Sequence, residues 1–410
     1  MPLDLRQTAH TGTMNRRLRN ATIRLIKVAQ FVLLITSFQL FRLFNLKKIT
    51  WVVGPDELAG VLQGVATALP DSYSVNLSTS SLRHESYDFT LGSGPLHEVR
   101  RLLFGPLLLG YLANKTDQFY YIWNRGFLFD RTREFRFLKE HDIRLAIMFC
   151  GDDIRSPVLH SSFCKELGRD SFVNYDFYVN PPGGKAVYEE RQRATALDAD
   201  SFADVIFNAP VCQTSYLPSN SSKLVAAHGF IAIADRDFCY DSAKLNDQVL
   251  KVVHAPSSMA VKGTAFVREA INRLSLERDD FVYHELNGVP HQEVLKVLQA
   301  SHVCLNQFLS FGTGVLGIEA LASRCATLMS ADPKLEPSIP TPHLGQIPWL
   351  ITGPQDIYEN LRLILDDREL LKQLANSGFD YALEHYSLAN ARDRLRDSLT
   401  VHGFECSDPQ

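Results

Sequence analysis

From residue 49 onward, short runs of β-branched and aromatic residues alternate with segments of helical period, and this alternation restricts the chain to an α/β fold built on parallel sheets. ITWVV (49–53) reads as a strand broken by Gly54-Pro55, with Asp56 placed as N-cap of a helix through Ala68. QFYYIW (118–123) reads as a strand, a helix is predicted over 131–140, and IRLAIMF (143–149) is apolar throughout, as a central parallel strand must be. DVIFN (204–208) is a further short strand. The polar stretch DFCYDSAKLND (237–247) marks a linker, after which the rhythm resumes: VLKVVH (249–254), a helix over 263–274, FVYHEL (281–286), a helix over 291–300, HVCLN (302–306), a helix near 315–324 and CATLM (325–329). Two open parallel sheets in succession place their ligand-binding ends at the carboxyl edges of the strands, so a site is expected in a cleft between two domains.

At 410 residues the chain suits two domains, and its 45% hydrophobic and 21% charged residues are those of a globular protein. The seven cysteines lie apart without a CxxC pair, which predicts reduced thiols and a cytoplasmic location and argues against a disulfide frame or a zinc site. The net charge of −4 divides into +8 over residues 1–50, where nine Lys/Arg face one acid, and −12 over the rest. Within this basic arm, VAQFVLLITSFQLF (28–41) carries no charge. As a helix it spans roughly 21 Å, short of a ~30 Å hydrocarbon core. The arm (1–48) therefore reads as a peripheral helix against an anionic membrane face, at the inner side of the membrane, or as a docking helix of the first domain. Nucleic-acid binding is disfavoured, because the basic residues surround an apolar run and the body of the chain is acidic.

Two strand-to-helix junctions carry phosphate chemistry. Lys262-Gly263 stands between VLKVVH and the next helix, where free N–H groups and the dipole already favour an anion. In FLSFGTGVLGIEALASRCATLMSADP (308–333), Gly312 and Gly314 let backbone approach a ligand, and Glu319 lies one turn into the following helix, placed to accept from vicinal hydroxyls of a ribose. The bland readings are a surface lysine and a first-turn acid worth about 0.3–1 kcal/mol.

With those residues in view, HAPSSMAVKGTAFVREAINRL, GVPHQEVLKVLQASHVCLNQF and FGTGVLGIEALASRCATLMSA resemble the donor-binding half of the retaining GT-B glycosyltransferases, family-4-like and of the bacterial surface-polysaccharide type. HDIRLAIMFCGDDIRSP is similar to the strand and turn that in this family usually read HGSD-I-R. The likeness covers roughly residues 49–400 and implies two Rossmann-like domains: 49–240 on the acceptor side, 245–377 binding the nucleotide sugar, and a helix over 378–400 crossing back to the first domain. It implies hexosyltransferase-type transfer with retention from a UDP- or GDP-linked sugar to a glycan or lipid-linked acceptor, in polysaccharide or glycolipid synthesis, with no cofactor and no obligatory metal. By the resemblance Lys262 neutralises the donor diphosphate, Gly314, Val315 and Leu316 offer backbone to it, Glu319 holds the ribose, Val289 in Gly288-Val289-Pro290 edges the base, and Asp153 faces the transferred sugar. Gly54, His254, Ser257, Gly263, Gly312 and Thr313 complete the expected substrate-binding set.

The sequence departs from the family pattern at three places. Phe311 stands where a sugar-contacting glutamate is usual, Cys150 replaces the histidine of the HGSD turn and Asp152 its serine. An arginine that commonly joins the lysine is not evident at Pro256–Ser258. A retaining transferase needs phosphate stabilisation more than a strong base, so these losses are compatible with activity. They leave open a catalytically silent GT-B subunit that binds a sugar nucleotide beside an active partner. An epimerase or phosphorylase fits less well. Trp123 and Arg125 are further candidates at the acceptor, and His284, His291 and His302 show no metal-ligand spacing.

Overall fold

Strands that are apolar on both faces are stable only inside a parallel sheet, and the strongest such runs of this chain lie there. The computed structural model describes residues 16–58, 60–78, 86–227, 230–341 and 346–406. The first half runs α1 (Arg16–Arg42), β1 (Trp51–Pro55), α2 (Val61–Ala68), β2 (Ser72–Asn76), β3 (Phe89–Thr90), α3 (His97–Leu112), β4 (Gln118–Ile122), α4 (Arg131–Glu140), β5 (Arg144–Met148), α5 (Pro157–Glu166), α6 (Lys185–Phe202), β6 (Val205–Asn208) and β7 (Leu224–Ala226). These strands order as β3-β2-β1-β4-β5-β6-β7, with β1 parallel to β2 and to β4 (Val53 opposite Ser74 and Tyr120). The second half runs β8 (Leu250–His254), α7 (Met259–Lys262), α8 (Thr264–Glu277), β9 (Phe281–Glu285), α9 (His291–Ala300), β10 (Val303–Leu305), α10 (Gly314–Ala322), β11 (Ala326–Met329), β12 (Leu350–Ile351), α11 (Ile357–Asp366), α12 (Arg368–Tyr386) and α13 (Leu388–Val401). Its five strands order as β12-β11-β10-β8-β9, all parallel, so the order reverses between β8 and β10.

By packing, the chain forms two compact units: 1–148 with 198–206 and 399–410, and 149–197 with 207–398. In the first, β1 and β4 are buried at every position. Trp51, wholly buried, stacks on Phe404 at 5.3 Å and donates its indole N–H to the Glu405 carbonyl at 2.9 Å, so the chain's C-terminal segment closes back on this sheet. The expected strand 49–53 runs on through Gly54-Pro55, and the helix starts four residues later than the N-cap reading of Asp56 required. Glu57 takes the capping role instead, its carboxylate accepting the N–H of Gly60 at 2.6 Å.

α1 is docked along one side. Leu34 and Phe38 are buried, the Ser37 hydroxyl donates to the Pro106 carbonyl at 3.2 Å, and Gln30 donates to Leu102 at 3.2 Å while accepting from Phe129 N at 2.9 Å. The opposite stripe, Leu25, Val28, Val32 and Ile35, faces solvent. By length and composition Ala21–Arg42 also suffices to cross a membrane.

In the second unit the sheet packs against α8, α11 and α12 through Val252, Val267, Leu274, Leu328 and Leu361. α12 stops at Tyr386 and α13 starts at Leu388, dividing the amphipathic stretch expected over 378–399 into two helices.

Candidate active site

In an open α/β sheet the loops leaving two strands diverge where the strand order reverses, and the opening between them receives ligands. In the second unit this point lies between β8 and β10, and the loops that leave those strands carry Lys262 and Gly312–Gly314.

The loop after β8 is set by three local devices. Ser258 caps α7, its hydroxyl accepting from Val261 N at 3.5 Å. Gly263, at φ 77, turns the chain out of α7 and into α8, a backbone state that disfavours any side chain. His254, fully buried, joins Leu305 O at 2.6 Å through Nδ1 and the Thr264 hydroxyl at 2.9 Å through Nε2. Both ring nitrogens are thereby engaged, and burial lowers the pKa of the ring. His254 therefore positions the junction from within the core, with neither ring nitrogen left for a further bond.

Lys262, last residue of α7, donates from Nζ to the Gln307 amide oxygen. Gln307 donates in turn to the Gly312 carbonyl, and Asn306 donates to the Thr313 carbonyl at 2.6 Å. Two amides at the end of β10 thus fix the loop that opens α10 and tether the lysine to it. Thr313 is buried at 2% exposure, whereas Gly314, Val315 and Leu316 are half-buried at the helix start, where N–H groups lack intrahelical partners. Ser257 is exposed beside this loop. Burial pushes the Lys262 ammonium down to about 8, with the charge on Arg155 acting in the same direction and Cys212 and Asp152 against it.

Arg155 is a second cation whose charge is felt by Lys262. It is 7% exposed, donates from Nε to the Cys212 carbonyl and from Nη1 to the Tyr178 hydroxyl at 3.0 Å, and pairs with Asp152. Burial alone would lower its pKa, but Tyr178 and Asp152 outweigh this and keep it protonated. The sequence holds a signal for it: Arg155 is the arginine of GDDIR, the turn similar to HGSD-I-R.

Asp153, expected to face the transferred sugar, is turned into its own loop. It is wholly buried and its carboxylate accepts N–H groups of its own turn, Cys150 at 3.0 Å and Gly151 at 2.7 Å. Burial raises it to about 7 despite those bonds. The acid of this turn that reaches outward is Asp152, hydrogen-bonded to Tyr178 and Arg155. Phe311, at the position of the usual glutamate, is 3% exposed and packs with Cys164, Ala209 and Cys212.

At the far end of the loops, Glu319 on α10 is 6% exposed and bonded through Oε1 to Nε2 of His291 at 2.6 Å. His291 opens α9 immediately after Gly288-Val289-Pro290, so this pair joins the expected ribose-binding acid to the expected base-binding loop. In the sequence His291 has no metal-ligand spacing, and nothing there marks its bond to a glutamate 28 residues away. Gly54 is not part of this constellation. It lies inside β1, and a Cβ there would meet the Val75 carbonyl oxygen at 2.4 Å, so close strand packing accounts for the glycine. In the same unit, Asp56 is 4% exposed with Arg125 at 3.8 Å, and Trp123, after β4, holds φ 71. All seven cysteines are free, and among the described residues no group of three or more His, Cys, Asp or Glu side chains is arranged to hold a metal ion.

No family model and no curated protein matches the sequence. Among solved structures the chain resembles Anabaena HepE in complex with UDP and glucose, at 11% identity and TM-score 0.55 over 87% of this chain and 100% of the other. It also resembles sucrose-phosphate synthase from Thermosynechococcus elongatus, at 13% identity and TM-score 0.55 over 87% of this chain and 99% of that one. A putative UDP-N-acetylglucosamine 2-epimerase from Listeria monocytogenes is similar at 12% identity and TM-score 0.52 over 89% and 99%. What these likenesses establish is architecture: two parallel sheets with their covering helices, in the GT-B fold.

Proposed function

We propose that the protein transfers a sugar from a nucleotide-diphosphate sugar to a glycan or lipid-linked acceptor, with retention of configuration. The observation that carries this reading is Lys262, tethered through Gln307 to the loop that opens α10 at the strand-order reversal of the second sheet, with the buried Arg155 near enough for its charge to act on the lysine. A diphosphate is the anion that suits two cations and a row of free backbone N–H groups. Glu319 with His291 then receives the ribose, and Val289 flanks the base. Complexes of HepE with UDP and UDP-glucose support the assignment of nucleotide type.

In the reaction the bond from the anomeric carbon to the diphosphate oxygen breaks, and a bond from the acceptor hydroxyl oxygen forms on the same face. The acceptor proton passes to the departing diphosphate. Charge therefore grows on the phosphate oxygens, where Lys262 and Arg155 stabilise it. No strong base is required, which fits Cys150 in place of histidine.

The first unit's outer helices offer a surface for a membrane that carries a lipid-linked acceptor. α1 presents Leu25, Val28 and Val32 to solvent and α3 presents Val99, Leu103 and Phe104, with Arg24, Lys27, Lys47 and Lys48 close in sequence to the first set. Apolar area with basic residues suits an anionic membrane face on the cytoplasmic side.

The burial of Phe311 and of Asp153 favours one second reading, a silent subunit that binds donor without turning it over. Release of free nucleotide from a panel of UDP- and GDP-sugars, with membrane lipid extract as acceptor, decides between them. Transfer predicts release from one donor. Binding without release from any donor supports the silent subunit, and conversion of the donor sugar without release would point to epimerase chemistry.

A further inference from the structure

A wholly buried carboxylate persists only where hydrogen bonds offset its lost hydration. Glu336, in the loop that leaves β11, is 0% exposed and pairs with no cation among the described residues. Its partners are backbone N–H groups: Oε2 accepts from Val211 at 3.1 Å and Cys212 at 2.7 Å, and Oε1 from Ser338 at 3.1 Å. Val211 and Cys212 lie 125 and 124 residues away, in the turn that follows β6. We propose that Glu336 is a positioning residue for the donor site: by holding that turn it sets the Cys212 carbonyl, which orients the guanidinium of Arg155. The proposal rests on the reading of Lys262 and Arg155 as the donor-phosphate site.

The contacts run without a gap from the carboxylate to the guanidinium. Glu336 holds Cys212 N, and the Cys212 carbonyl accepts from Nε of Arg155. Nη1 of the same guanidinium is held by Tyr178 and Asp152, which leaves Nη2 for an anion. Gln213 accepts from Ala209 N at 2.9 Å and donates to the Phe149 carbonyl at 3.0 Å, so it ties the ends of the turn to the strands. Glu336 holds the residues between. Its own loop is fastened on the other side to the loop that tethers Lys262. Ser330 N donates to the Gln307 carbonyl at 3.0 Å and Asp332 N to the Phe311 carbonyl at 3.3 Å. Leu335 packs with Val211, Cys212 and Phe311 in the same place. One segment thereby braces the supports of both cations, and the carboxylate is its link to the side that carries Arg155.

A merely structural acid lowers stability whatever else the site contains, whereas a positioning one loses its effect on UDP once Arg155 is gone. The test is a double-mutant cycle on the full-length protein, with UDP affinity measured by calorimetry in wild type, Arg155→Ala, Glu336→Ala and the double variant. Arg155→Ala should weaken UDP by about tenfold or more, and Glu336→Ala by about fivefold or more. The double variant should bind within about twofold of Arg155→Ala. Losses that multiply, to about fiftyfold or more in the double variant, overturn the proposal, as does wild-type UDP affinity in Glu336→Ala. Should Glu336→Ala fail to fold, Glu336→Gln takes its place in the same cycle. It turns an amide NH2 against one backbone donor and should weaken UDP by about threefold or more. Wild-type UDP affinity in Arg155→Ala, or no binding of UDP by the wild-type protein, would instead bring down the donor-site reading and the positioning role with it.

Discussion

Lys262 is a cation whose charge is conditional. Its ammonium is held down to about 8, so the ligand-free protein near that pH carries it partly neutral, while a bound diphosphate requires it charged. Nucleotide binding should therefore take up a proton and weaken by about tenfold per pH unit above 8. Calorimetry in buffers of different ionisation enthalpy measures the uptake. Lys262→Ala should weaken UDP by roughly tenfold or more, about 1.5–3 kcal/mol, and flatten the pH dependence. A mutant that keeps the wild-type pH profile would remove Lys262 from the site. Asp153 gives the converse case. A carboxyl raised to about 7 from 3.8 favours folding below about 4, and this contribution is lost as the pH rises through 7. Asp153→Asn offers an oxygen to Cys150 and Gly151 without the charge, so it should flatten the decline of melting temperature between pH 4 and 7 and leave nucleotide release near wild type. A large loss of release would restore Asp153 as a catalytic group. Asp152 illustrates why side-chain direction was illegible: two adjacent aspartates look alike in sequence, and only the turn decides which one the backbone captures.

Elements with a strong period were legible, and those held by tertiary contact were not. The helices over 131–140 and 291–300 were read at the observed bounds, because Asp130 caps the first and Pro290 sets the start of the second. β3 and β12, two residues each at the sheet edges, carry too little pattern to announce themselves, and α3 has Pro106 inside it. The donor loops were legible because glycines and a lysine at strand ends have a chemical reason to be there. Gln307 and His291 were missed because their roles depend on partners 45 and 28 residues away. For α1 the sequence left membrane contact and internal docking as alternatives, and its two faces admit both. Removing residues 1–48 would uncover the surface where Phe38 meets Phe137 at 5.2 Å, so such a truncation should lower stability. The discriminating change is Val28→Ser with Val32→Ser on the exposed stripe, which should reduce co-sedimentation with phosphatidylserine vesicles about tenfold while leaving the melting temperature near wild type. Undiminished vesicle binding would exclude this stripe as the contact.

At the scale of the molecule, the chain starts in one unit, builds the other and returns to the first with residues 399–406. The return is anchored by the buried side chains of Phe404 and Cys406, with backbone hydrogen bonds made by the less buried residues between and before them. Phe404 is 4% exposed and stacks on Trp51, Gln118 donates to the Glu405 carbonyl at 3.3 Å and accepts the Glu405 N–H at 2.6 Å, and Arg144 donates to the His402 carbonyl at 3.0 Å. Trp51 opens β1, which pairs with both β2 and β4, so a cavity beside it is felt by three strands. Phe404→Ala removes the stacked ring and leaves Trp51 facing a void, a class of change that costs about 3–5 kcal/mol. The loss should appear as a lower denaturant midpoint followed by tryptophan fluorescence, to which Trp51, Trp123 and Trp349 all contribute. UDP affinity measured below the transition should stay near wild type, because the donor residues Lys262, Arg155 and Glu319 belong to the other unit's own core. Wild-type stability in Phe404→Ala would show the C-terminal segment to be an ornament of the first unit instead of part of its core.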